Sequence, residues 1–165
     1  MRTALAIAAL VGAVPAHAQI ALEPGQAVTV QVSREGEASV TGSGLADLST
    51  YDDTFLDKVR NAYKTHDTFV TGSADGAPQI ARGALDVRFV VIDGKESVLV
   101  FENGYDEGIV YRATMYANGR SAPTDVCLVM PNRRGYEHWP FAIDKIELSA
   151  FRRVVWKDGD SIPCA

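Results

Sequence analysis

The sequence predicts a mainly β protein, an antiparallel β-sandwich in preference to a partly closed β-barrel, with one amphipathic helix at about 52–64. Three observations carry that prediction. Gln26 to Ser33 and much of the chain from Leu85 onward alternate apolar and polar side chains, as half-buried strands do. Turn signals of the Asp-Gly and Asn-Gly type separate these runs. The long strand–helix alternation of a doubly wound parallel sheet is missing.

The first element is a targeting segment. Met1 and Arg2 form a positive start, Ala4 to Val14 an apolar run, Pro15 a break, and Ala16-His17-Ala18 the small-x-small pattern of a cleavage site. This layout predicts a signal peptide over 1–18 and a single β-rich domain over 19–165. The apolar run is too short to span a bilayer, and no later run is long enough. The mature chain is therefore expected in the periplasm or secreted, with no membrane span.

Within the domain, Val28, Val30 and Val32 share one face of a strand, and Thr29, Gln31 and Ser33 the other. Arg34 to Glu37 reads as a turn and Ala38 to Ser43 as the returning strand. Residues 49–65 change period: Phe55, Leu56, Val59, Ala62 and Tyr63 recur at helical spacing, behind Ser49 or Thr50 with Asp52 and Asp53 as capping residues. That stripe is expected to pack on a sheet. Thr65 to Arg82 reads as a long loop.

Leu85 to Ile92, the turn Asp93-Gly94 and Ser97 to Phe101 form a second hairpin. Gly108 to Ala117 alternates and ends at Asn118-Gly119. Val126 to Met130 is a short apolar strand stopped by Pro131. Phe141 to Phe151 holds a further strand or two, and Val154 to Lys157 a last one.

Composition narrows the function classes. The chain is 47% hydrophobic and 22% charged, which fits a globular domain. A net charge of -5 argues against nucleic acid as a partner, because no basic surplus exists to neutralise phosphates. No nucleophile elbow, phosphate-cradling loop, H-E-x-x-H or C-x-x-C occurs. Two histidines beyond the signal and two distant cysteines offer no short-spaced zinc set. Asp158-Gly159-Asp160-Ser161 reads as a solvated turn rather than a calcium loop. Neither a metal nor a cofactor is expected.

The most chemically loaded stretch is Pro131 to Pro140, read as a connection between strands that displays Arg133, Arg134, Tyr136, His138 and Trp139 as binding residues. The plainer alternative is that Tyr136 and Trp139 cover the end of the core while the arginines solubilise a turn. His138 is the only candidate general base, and an extended backbone would send Glu137 to the opposite face from it. The sequence thus predicts an exported, non-enzymatic binding module for a protein, glycan or envelope component. The alternative is a small hydrolase-like enzyme using His138.

Cys127 and Cys164 are predicted to form one disulfide, because an oxidising compartment pairs two thiols most simply with each other. In the chain-entropy account, a loop of this size stabilises by roughly 4 kcal/mol.

Overall fold

The computed structural model describes residues 19–46, 57 and 81–164. Nine strands run through them: β1 (Ile20–Leu22), β2 (Gln26–Val32), β3 (Ala38–Leu45), β4 (Leu85–Ile92), β5 (Glu96–Asn103), β6 (Gly108–Ala117), β7 (Arg120–Thr124), β8 (Arg134–Trp139) and β9 (Lys145–Val154). They form two antiparallel sheets, ordered β1-β9-β6-β7 and β3-β2-β4-β5-β8. Neither sheet closes on itself, so the open two-sheet arrangement replaces the barrel alternative. The signal peptide, the helix expected at about 52–64 apart from Asp57, and nearly all of the 65–82 loop lie outside the described residues, and no such helix is seen among them.

The hairpins follow from their turn residues. Asp93 and Gly94 both take positive φ, as do Asn118 and Gly119, and this backbone matches the right-handed twist of the flanking strands. Between the sheets, Leu22, Val30, Val87, Phe89, Leu99, Phe101, Ile109, Ile146, Leu148 and Phe151 are buried in one core. Alternation brings them there, since residues two apart share a sheet face. Tyr111 sits between Phe101, tilted against it with ring centroids 4.8 Å apart, and Phe151, stacked on it at 6.0 Å.

A second, smaller cluster lies on the outer face of the four-stranded sheet. Val110, Leu128 and Met130 are buried there against Val154, Trp156 and Ile162. The disulfide Cys127–Cys164 holds the C-terminal tail over this cluster. Val126–Met130 is not the strand its composition suggests. It is a buried irregular segment making single bridges, Ile109 to Val129 and Cys127 to Cys164.

The five-stranded sheet is buried on both faces along β4, β5 and β8. Val90, Val98, Val100 and Tyr136 point away from the main core and are nonetheless buried. β3, at its far edge, is mostly exposed.

β9 runs through Phe151 to Val154 as one strand because it carries a bulge. Arg112 faces Ser149, while Val110 faces Arg152, so Ala150 and Phe151 together oppose Tyr111. Ala150 takes φ 52°, a left-handed conformation unusual for a residue with a Cβ.

Candidate functional site

Arg134 to Trp139 is strand β8, not the strand-connecting loop the sequence suggested. Pleating divides the expected binding residues between two environments. Arg134, Tyr136 and His138 pair with Glu102, Val100 and Val98 and share the outer face of the sheet. Gly135, Glu137 and Trp139 pair with Phe101, Leu99 and Ser97 and face the other sheet. Arg133 precedes the strand.

On the outer face the polar groups form ion pairs. Arg134 donates from Nε and Nη2 to Glu102 Oε1 at 3.3 and 3.0 Å, and Arg88 Nη1 lies 3.9 Å from the same oxygen. The Glu102 side chain is only 3% exposed and that of Arg134 9%. A buried carboxylate is tolerable here because a fork of guanidinium donors meets it. Asp86 is the cross-strand neighbour of Glu102 on the same face. His138 Nε2 lies 3.3 Å from Glu96 Oε2.

On the inner face Glu137 has only neutral donors. The Cys127 N–H donates to Glu137 Oε1 at 3.0 Å, and the Tyr111 hydroxyl donates to it over a longer 3.4 Å. Burial pushes this carboxyl up to about 7, against the downward pull of those two bonds. Burial, then the Glu137 charge, raises the Tyr111 hydroxyl well above its ordinary range. Trp139 Nε1 donates to Thr124 Oγ1 at 2.9 Å and is otherwise core.

The structure therefore brings Arg134, Tyr136 and His138 together and separates them from Trp139. Glu137 and His138 face opposite ways and form no acid–base dyad. The buried hydroxyl of Ser97 is committed, donating to the Phe141 carbonyl and accepting from the Ile143 N–H at 2.9 and 2.8 Å. Arg133 is the accessible member of the group and pairs with Asp158 at 3.0 Å. Asp160 accepts the Lys157 N–H, which closes the acidic turn on itself. Among the described residues no cluster of three or more metal-ligating side chains is found.

Sequence reading missed Arg88, Glu102 and Glu96, because isolated charges inside strands carry no motif. It also passed over two surface clefts. One, of about 280 Å³, lies along β3, β2 and β4 beside Gly42 and Gly44. The other, of about 400 Å³, lies at the β9 bulge and includes Arg112 and Arg152. No known family model, curated protein or solved structure matches this chain.

Proposed function

We propose that the protein is an exported, non-enzymatic binding module that takes an extended protein segment along strand β3. The observation that carries this reading is the contrast among the sheet edges. Of the four edge strands described, β1 has three residues, β7 contains Arg120 and Pro123, and β8 carries Arg134, Glu137 and His138. Shortness, proline and charge are the usual devices that stop a stray strand from pairing. β3 has eight residues, no charge and no proline, and lies largely in solvent.

Val40 and Leu45 on β3 are 50% and 88% exposed, which offers an incoming strand apolar contacts beside backbone pairing. A bulge at Thr41 interrupts the β2–β3 ladder, so the recognised segment is short. The enzyme alternative rests on His138, whose side chain is 6% exposed beside Glu96. Neither described cleft includes His138.

The test is a photocrosslinking amino acid placed at Ser43, with the same group at Ser121 on β7 as control. Reaction with one partner from Ser43 only, followed by loss of that purified partner's binding in Thr41→Pro, supports the reading. Equal labelling from both positions overturns it. So does turnover of ester, phosphate or glycoside substrates that disappears in His138→Ala.

A further inference from the structure

We propose that the cleft at the β9 bulge is a binding subsite for an acidic sugar, with Arg112 and Arg152 receiving its carboxylate. The two arginines stand diagonally across β6 and β9 on the outer face of the four-stranded sheet. Arg112 faces Ser149, and Arg152 faces Val110 two residues further along β6. Diagonal neighbours of this kind lie about 7–8 Å apart at their backbones, within reach of one another's long side chains.

Charge accounting separates these arginines from five of the others, and Arg82 and Arg120, which also lack an ion pair among the described residues, line neither described cleft. Glu107 holds Arg153 and Arg34, Glu102 holds Arg134 and Arg88, and Asp158 holds Arg133. Among the described residues, no carboxylate lies within ion-pair distance of Arg112 or Arg152. Both are exposed in an acidic protein of net charge -5. Two forked donors lining one cleft, with no carboxylate ion-paired to either among the described residues, make a seat for a planar oxyanion.

The rest of the cleft selects what carries the anion. Its volume is about 400 Å³, and Val110, Ala150 and Phe151 contribute apolar surface. Ligand pockets of this size combine an apolar bed with a few placed polar groups. Glu35, on the turn between β2 and β3, supplies an ionised acceptor suited to a sugar hydroxyl. Its carboxyl is held low first by its own backbone N–H and then by the Ser33 hydroxyl. Glu35 also disfavours a doubly charged phosphate more than a singly charged carboxylate.

The backbone is shaped for the cleft. Gly36 brings that turn against β9: an added Cβ would sit 2.9 Å from the Phe151 carbonyl oxygen. Ala150 keeps its left-handed conformation at the bulge beside the arginines, and strained bulge residues concentrate beside sites.

The subsite is separate from β3, so the failure of either reading leaves the other standing. The experiment titrates the full mature protein with glucuronate, glucose and inorganic phosphate while following backbone amide resonances. Saturable shifts with glucuronate, confined to residues 35–36, 110–112 and 150–152, are expected, with glucose and phosphate weaker. Arg112→Gln and Arg152→Gln should each weaken glucuronate binding about tenfold and leave the melting temperature unchanged. Undiminished binding in the double variant overturns the proposal, as do equal responses to glucose, equal responses to phosphate, or no saturable shift at all.

Discussion

Glu102 and Glu137 are carried by neighbouring strands of one sheet, point to its opposite faces and are both largely withdrawn from water. Their hydrogen-bonding partners differ in charge. Glu102 meets the Arg134 fork with Arg88 behind it, whereas Glu137 meets an amide N–H and a phenol. Neutral donors do not offset the loss of hydration, so Glu137 keeps a proton to about pH 7. The difference teaches that satisfied hydrogen bonds and a compensated charge are separate requirements. It also explains how the neighbouring strands β5 and β8 can place one withdrawn acid on each face of the sheet.

The comparison breaks most severely at Arg134. Arg134→Met should cost roughly 4 kcal/mol, because it strips a buried carboxylate of the guanidinium that hydrogen-bonds it. Urea unfolding at neutral pH measures this, and a loss below about 1 kcal/mol would show that solvent reaches Glu102 in the native state.

The disulfide comes next. Cys127→Ser with Cys164→Ser should cost about 4 kcal/mol at most, because the bridged residues are 37 apart and strain often reduces the entropic gain. The change also loosens Cys127, the amide donor to Glu137, so the Glu137 titration should move as well. An unchanged titration by carboxyl carbon NMR would uncouple the two features.

Glu137 itself sharpens the contrast. Its folded pKa is raised from 4.5 to about 7, so its contribution to stability is complete below about pH 4.5 and lost as pH rises through 7. Glu137→Gln should therefore stabilise the protein at pH 8 by up to about 3 kcal/mol, with little gain at pH 4. Melting curves across that range give the answer, and a pH-independent effect would contradict it.

The smallest effect is expected away from both acids. Ala150→Val should cost about 1–2 kcal/mol because a branched Cβ resists the left-handed bulge, while Ala150→Gly should change stability by less than about 1 kcal/mol. Equal effects of the two substitutions in thermal unfolding would show that no strain resides there.

Much of the architecture was legible where burial is one-sided. Gln26–Val32, Leu85–Ile92 and Gly108–Ala117 show their inward faces as a period of two, and Asp93-Gly94 and Asn118-Gly119 mark their turns. Thiol counting was enough for the Cys127–Cys164 bridge. β8 was misread because its outward positions hold Arg134, Tyr136 and His138, buried by pairing rather than by apolarity, and Pro131 and Gly135 imitate a loop. Proline hid β7, and three residues are too few to announce β1. The Arg112–Arg152 cleft had no signal at all. The two arginines are 40 positions apart in sequence and meet only through the register of β6 with β9.

The bulge at Ala150 has a consequence for how such a scaffold acquires a site. Ile146, Leu148 and Phe151 all face the core, and Ser149 and Arg152 both face out, so the extra residue is absorbed without transferring any side chain to the wrong side. One inserted residue is thus enough to dent an otherwise even sheet and gather distant arginines at the dent. Because Ile146, Leu148 and Phe151 all stay in the hydrophobic interior, the sheet carries the dent on its outer face without turning any of them out to solvent.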